Sequence, residues 1–228
     1  IVMRRPHCCR GRSEMKPVGN RLAVNPDELR RVCAEVVCAA HSALSEPKKN
    51  LAGKHNQYLP HVLLGLFLSS AGRPVRDPFH SMDLFDLELQ TAILIDKVMD
   101  RSKEARLVIL PVAAVTQVRH WLDHLKALAA HLSEQNPTLA AQIYATCTPG
   151  YPRPLPLFFL LKEDLSGITR IGREEYEGML RPHWNLPGNF NRSCLATWLR
   201  GDGCPIELVD GQLGHVAAGN TPFGIASP

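Results

Sequence analysis

The sequence Asn189-Phe-Asn-Arg192, followed after one helical stretch by Leu213-Gly-His215, decides how this chain is interpreted. An arginine that opens a predicted helix, with a histidine just beyond the next one, is a layout that can bring a guanidinium and an imidazole towards one phosphate group. Leu186-Pro-Gly precedes this stretch and Thr221-Pro-Phe-Gly follows it. The pattern predicts a site for chemistry on a DNA strand.

The composition limits the classes of protein that fit. A chain of 228 residues that is 45% apolar can bury one substantial core. The formal net charge of +4 is compatible with a polyanionic partner but does not establish one. Seven cysteines at irregular spacing, without a CxxC pair, indicate neither a disulfide framework nor a zinc knuckle. A reducing cytoplasm fits this cysteine content best.

The sequence predicts no membrane segment. Its longest apolar run, residues 59–70, contains Pro60 and His61 and is too short to cross a bilayer. The arginine-rich beginning lacks the apolar stretch of a signal peptide. We therefore expect a soluble, cytoplasmic protein without a membrane partner.

Two regions are predicted, a basic tail at residues 1–24 and a folded domain at residues 25–228. The tail has no apolar periodicity, so it is either a flexible solvated end or an arm that touches phosphates. Its charged residues are six basic side chains and one acid: Arg4, Arg5, Arg10, Arg12, Lys16, Arg21 and Glu14.

The folded region is mainly helical by its periodicity. Asn25-Pro26-Asp27 is typical of a helix start, and apolar residues recur behind it at helical spacing. A polar loop is expected at residues 45–54. Further helices are predicted at residues 56–70, 113–132, 137–145, 173–180, 191–200 and 206–213.

Strands are predicted in the middle of the chain. Residues 91–97 and 105–110 indicate two strands, with the polar residues 98–104 as a hairpin connection. Residues 157–161 indicate a third short strand. The expected fold class is mainly α with a small antiparallel β-sheet, that is α+β.

With these elements placed, the chain from about residue 25 onwards resembles the catalytic domain of the tyrosine recombinases, the phage-integrase family of DNA breaking and rejoining enzymes. Ser70-Ala-Gly-Arg73 lies where that family has a turn with its first arginine, and Lys97 lies where it has a hairpin lysine. Asn189-Phe-Asn-Arg192 corresponds to its His-x-x-Arg box, with asparagine in place of histidine. Leu213-Gly-His215 corresponds to its Leu-Gly-His box.

The resemblance implies a role for each of these residues. Arg73 and Arg192 would clamp the non-bridging oxygens of the scissile phosphate, where charge develops in the transition state. Lys97 would protonate the leaving 5′ oxygen, and His215 would donate a hydrogen bond to the phosphate or orient the nucleophile. Asn189 can donate a hydrogen bond but cannot titrate, and it is also placed to cap a helix.

The sequence departs from the family at the nucleophile. The four tyrosines, at positions 58, 144, 151 and 176, all lie upstream of the Leu-Gly-His box, and the window after it holds Thr221, Phe223 and Ser227. Three explanations stay open: the nucleophile lies outside these residues, a tyrosine elsewhere in an assembly acts at the site, or the protein has lost cleavage and kept DNA binding. A second departure is Arg76, where the family commonly has an acid that supports the first arginine; Asp77 is the candidate replacement.

Two functions are compatible with these residues. The first is a site-specific recombinase or integrase of a mobile element, which cleaves and rejoins DNA through a covalent 3′-phosphoprotein intermediate. The second is a cleavage-deficient DNA-binding protein of the same fold, a regulator or a recombinase partner. A third interpretation, a chance match without a DNA role, predicts that Arg73 and Arg192 lie far apart.

The partners that the resemblance implies are double-stranded DNA and other recombinase protomers on paired sites, with a monomer expected off DNA. No cofactor is expected, because the sequence has no phosphate-binding glycine loop. No metal is expected either. His120 and His124 have the i, i+4 spacing of metal ligands, but no third ligand is evident and a packed or exposed position fits them better.

Overall fold

The computed structural model describes residues 26–46, 50–96, 105–148, 154–183 and 189–214. Within these ranges the chain forms seven α-helices and five short strands, with one 3-10 turn at Met82–Leu84. The helices are α1 Pro26–Ser45, α2 Leu51–Ser70, α3 Val112–Leu132, α4 Pro137–Thr146, α5 Arg173–Leu180, α6 Phe190–Gly201 and α7 Ile206–Leu213. The strands are β1 Phe85–Asp86, β2 Thr91–Leu94, β3 Arg106–Ile109, β4 Phe159–Leu161 and β5 Ile168–Arg170.

The first two helices pack against each other, and α2 begins earlier than predicted. Helix α1 starts at Pro26, as expected, and buries one face that includes Val32 and Val36. Helix α2 starts at Leu51 and not at residue 56, because the side chain of Asn50 accepts a hydrogen bond from Gly53 N at 2.7 Å. Asn50 therefore caps the helix within the stretch that was predicted to be a loop.

Strands β2 and β3 confirm the predicted antiparallel pair, with Thr91 opposite Ile109 and Leu94 opposite Arg106. The third strand of this sheet is β1, which was not predicted because two residues are too short to show alternation. The prediction of a single sheet was wrong: β4 pairs with β5 in a second, two-stranded antiparallel sheet.

Helix α2 lies at the centre of the main core, in contact with α1, α3, α6 and β4. Trp121 of α3 is fully buried beside it and donates from Nε1 to the carbonyl of Leu157 at 2.9 Å. A smaller apolar cluster around Ala71, Val209 and Leu213 places α6 and α7 at the carboxyl end of α2. This packing brings the last two helices next to the turn that carries Arg73.

The fold is mainly helical with small antiparallel sheets, which confirms the predicted α+β class. Among the described residues, no helix combines the length and the apolar character that crossing a bilayer requires. The proposed tail at residues 1–24 and the hairpin connection at residues 98–104 lie outside the described residues.

Candidate phosphate-binding site

The site is built on the turn that ends α2. Ala71 adopts a left-handed conformation at φ 53° and ends the helix, and a Cβ at the next residue, Gly72, would lie 2.8 Å from Phe67 Cδ1. Asn191 of α6 is fully buried and donates from Nδ2 to the carbonyls of Phe67 and Gly72, each at 2.7 Å. Helix α6 therefore holds the turn that presents Arg73.

A single buried carboxylate, Asp96, organises the arginines behind this turn. Its Oδ2 accepts from the backbone N–H of Arg73 at 2.9 Å and from Nη2 of Arg106 at 3.1 Å. Nη1 of Arg73 lies 3.6 Å from Oδ1, and Nη1 of Arg192 lies 3.8 Å from Oδ2. Three guanidiniums thus surround one carboxylate, which leaves the site positively charged and attractive to an anion.

Arg192 is buried and firmly held. Its Nη1 donates to the carbonyl of Ala71 and its Nη2 to the carbonyl of Leu213, both at 2.7 Å. Burial lowers the pKa of Arg192 to about 10, and the neighbouring charges of Arg73 and Arg106 act in the same direction, whereas Asp96 opposes them. Since this pKa is well above 7, Arg192 stays charged at neutral pH.

Arg73 is the arginine that reaches solvent. Its side chain is 31% exposed, whereas the side chains of Arg106 and Arg192 are each 10% exposed. An anion that approached from solvent would therefore meet Arg73 first, with the other two charges fixed behind it.

The structure brings together two of the five residues singled out by sequence. Arg73 and Arg192 meet at Asp96, which contradicts the chance-match interpretation that placed them far apart. Asn189 lies exposed at the cap position of α6, and its side chain makes no capping hydrogen bond. Lys97 and His215 lie outside the described residues.

The expectation that Asp77 supports Arg73 was wrong. Asp77 is paired with Arg170, whose Nη1 lies 2.7 Å from its Oδ2, and Arg76 is exposed. Asp96 provides the acid at Arg73 instead. Arg106 was not predicted from the sequence as part of the site.

The two-residue alternation of a strand could have identified both Asp96 and Arg106 from the sequence. Ala92, Leu94 and Asp96 alternate along one strand direction, and all three are buried, so the two-residue period places the acid on the core face. Arg106 is paired with Leu94 across the sheet and therefore lies on the same face. An acid and an arginine on one buried sheet face predict an internal ion pair.

The tyrosines of the described region are placed mainly in the core. Tyr58 and Tyr176 are buried, and the Tyr176 ring lies 4.5 Å from that of Phe67, between ring centroids. Burial raises the pKa of Tyr176, which opposes formation of a nucleophilic phenolate. Tyr144 is half exposed on α4, and Tyr151 lies outside the described residues.

His124, one of the two histidines considered as metal ligands, contacts the buried His55. His124 Nε2 lies 3.1 Å from Nδ1 of the buried His55, and His55 Nε2 lies 2.9 Å from the carbonyl of Phe159. Within the described ranges, no group of three or more His, Cys, Asp or Glu side chains could hold a metal ion.

Comparison with known proteins adds a fold relationship. No family model matches the sequence, and no curated protein matches it. Among solved structures, the crystal structure of XerA recombinase superimposes with a TM-score of 0.53 at 11% identity, covering 91% of this chain and 61% of that chain. The fold is recombinase-like. At this identity the likeness concerns the fold alone, and this chain spans less than two thirds of the length of XerA recombinase.

Proposed function

We propose that this chain binds duplex DNA through a backbone phosphate at Arg73 and acts in recombinase-type strand cleavage and rejoining. The observation that carries the proposal is the convergence of Arg73, Arg106 and Arg192 on Asp96, at the end of α2, in a recombinase-like fold. Three cations around one buried anion retain a positive charge that a phosphate diester can neutralise.

The arginines have different tasks in this proposal. Arg73, which reaches solvent, contacts the non-bridging oxygens, and its planar guanidinium suits bidentate contact with a phosphate. Arg192, buried against two carbonyls, supplies a fixed charge behind it. A fixed charge stabilises the transition state without the cost of reorganisation at the moment of reaction.

The strand-transfer step that we propose conserves the phosphodiester bond energy. A protein hydroxyl loses its proton to water and attacks phosphorus, a bond forms between that oxygen and the 3′ phosphate, and the bond to the 5′ oxygen breaks. Lys97 is proposed to give the departing oxygen its proton, while His215 and Asn189 are proposed to donate hydrogen bonds at the phosphate. Reversal of the same step rejoins the strand.

A second candidate is a DNA-binding protein of the same fold that does not cleave. The burial of the Tyr176 hydroxyl favours it, because that hydroxyl cannot reach a phosphate from the core. The sequence after Leu213-Gly-His215 also offers Phe223, which has the aromatic ring but no hydroxyl.

Duplex binding over a salt series tests the phosphate contact. We compare the unsubstituted protein with Arg73→Gln by fluorescence anisotropy, and use Arg119→Gln as the control, because Arg119 is exposed on α3 and paired with Glu88. Loss of one phosphate contact should weaken binding and make the slope of log affinity against log salt shallower by roughly 0.9. Equal slopes for Arg73→Gln and the unsubstituted protein would overturn the assignment of Arg73.

Covalent trapping separates the two candidate functions. A duplex nicked near the cleavage position loses a short fragment after attack, so a covalent protein–DNA adduct accumulates and is visible on a denaturing gel. An adduct supports the recombinase. Salt-dependent binding without an adduct, both for this chain and for the full-length gene product, supports the cleavage-deficient DNA-binding protein.

A further inference from the structure

The side chain of Gln212 attaches the end of α7 to the edge of β3. Gln212 accepts at Oε1 from Ile109 N at 3.1 Å and donates from Nε2 to Ile109 O at 3.0 Å. Its Nε2 also donates to the carbonyl of Ser69 at 3.0 Å. The side-chain amide thus pairs with the strand residue in the way that a residue of a neighbouring strand would.

Arg106, at the start of β3, also connects this strand with the ends of α2 and α7. Its Nη1 donates to the carbonyls of Gln212 and, at 3.3 Å, of Ser70. Its Nη2 donates to the carbonyl of Ala71 at 3.0 Å and to Asp96 at 3.1 Å. One guanidinium therefore connects the carboxyl ends of α2 and α7 with the central carboxylate.

The remaining nitrogen of Arg106 faces protein and not solvent. Nε is buried and has no hydrogen-bond partner among the described residues. A Cβ at Gly214 would lie 2.9 Å from this Nε and 2.4 Å from Arg106 Cδ. Arg106 is thus covered by the backbone of Gly214, which does not suit a group that contacts phosphate directly.

We infer that Arg106 is a positioning residue of the phosphate site. Together with Gln212 it fixes the end of α7, and with it Gly214, against the turn that carries Arg73. The inference rests on the proposed function, because it gives this attachment a purpose: the fixed end of α7 includes the carbonyl of Leu213, which accepts from Nη2 of Arg192 and so holds that guanidinium behind Arg73. The forked shape of the guanidinium, and not its charge alone, performs this task, since a lysine cannot donate in several fixed directions.

The test is Arg106→Lys, which keeps the charge and removes the fork. Hydrogen exchange of the α7 amides should accelerate by at least about tenfold relative to those of α3, because charge-assisted hydrogen bonds that close the end of α7 are lost. Duplex affinity should fall by roughly fivefold or more while its salt slope stays that of the unsubstituted protein, because no phosphate contact is removed.

Two further variants keep the test decisive. Gln212→Ala removes the attachment to Ile109 without touching Arg106, and should also accelerate exchange in α7. Arg119→Lys, at an exposed pair, is the control and should change neither measurement. Unchanged α7 exchange in both Arg106→Lys and Gln212→Ala would overturn the inference, and so would a shallower salt slope in Arg106→Lys.

The two readouts also separate this inference from the proposed function. Hydrogen exchange is measured without DNA and decides whether Arg106 holds α7. If the unsubstituted protein shows no salt-dependent binding to duplex DNA, the proposed function fails, whatever the exchange of α7 shows.

Discussion

The backbone N–H of Arg73 donates to the buried carboxylate of Asp96 at 2.9 Å, although 23 positions separate the two residues in the sequence. The same carboxylate faces the guanidiniums of Arg73, Arg106 and Arg192. Asp96 therefore sets the direction of the Arg73 turn and also neutralises part of the charge that the three arginines bring together.

Asp96→Asn should be strongly destabilising. It removes the negative charge from among three cations, and loss of one partner of a buried ion pair costs about 3 kcal/mol or more of unfolding free energy. Urea unfolding at neutral pH measures the change. Asp123→Asn is the matched control, since Asp123 is exposed and paired with Lys126 on the surface of α3, and it should cost about 0.5 kcal/mol or less. Similar losses in both variants would contradict a central role for Asp96.

Gly214→Ala should lower the free energy of unfolding more than Gly203→Ala does, although both glycines have positive φ. Gly214 has φ 66° and a Cβ there would meet Arg106 Cδ at 2.4 Å, whereas Gly203 has φ 80° with nothing within 4 Å. At Gly203 the loss should be the backbone strain alone, about 1 kcal/mol. At Gly214 the contact adds to it, because Arg106 is tied to several partners and cannot move away. Equal unfolding free energies for the two variants would show that Arg106 yields.

Asn191→Ala should destabilise the end of α2, because it leaves the buried carbonyls of Phe67 and Gly72 without the amide that they share. We expect a loss of about 2 kcal/mol in thermal or urea unfolding. Asn189→Ala is the control on the same helix: Asn189 is exposed and makes no capping hydrogen bond, so its loss should stay within about 0.5 kcal/mol. A larger loss at Asn189 than at Asn191 would reverse this assignment.

Stability should fall in acid because of the His55–His124 pair. A carbonyl only accepts, so His55 Nε2 donates to Phe159 O and its Nδ1 accepts from Nε2 of His124. Burial lowers the pKa of His55 to about 3, with a further contribution from His124, and burial lowers the pKa of His124 to about 4. The unfolded histidines bind protons near pH 6.5, so the stabilisation is complete above that pH and is lost as the pH falls towards 4 and then 3.

His124→Gln tests this pH dependence. Between pH 6 and 4.5 the unfolding free energy should fall less steeply with pH in the variant than in the unsubstituted protein. The two slopes should differ by roughly 1.4 kcal/mol per pH unit, because one fewer buried histidine takes up a proton on unfolding. His131→Gln, at an exposed position near the end of α3, is the control and its curve should follow that of the unsubstituted protein. Parallel curves for His124→Gln and the unsubstituted protein would contradict the mechanism.

Local sequence signals located most of the fold. The predicted bounds of α5 at Arg173–Leu180 and of α7 at Ile206–Leu213 are those observed. Both helices are indicated by local signals, namely the amphipathic periodicity and, for α7, the glycine after Leu213. The strands β1 and β5 were not predicted, since so short a strand carries no periodicity of its own and forms only where a neighbour pairs with it.

The site was predicted only in part, for a physical reason. Arg73 and Arg192 were found from the residues around them, which resemble a known pattern. Asp96 and Arg106 belong to no such pattern, and their importance comes from burial and from charges that are distant in the sequence. Asp77, next to the same turn in the sequence, was a wrong expectation because the fold turns it towards Arg170.

The sequence by itself determined the helical class of the chain, the β2–β3 pair and the two arginines, because periodicity, capping and short motifs are encoded by neighbouring residues. Only the tertiary structure decided that Asp96 is the shared partner of three guanidiniums, that Arg73 and not Arg192 reaches solvent, and that His55 and His124 share a buried hydrogen bond. These properties depend on which side chains meet when distant elements pack, and on how much water that packing excludes.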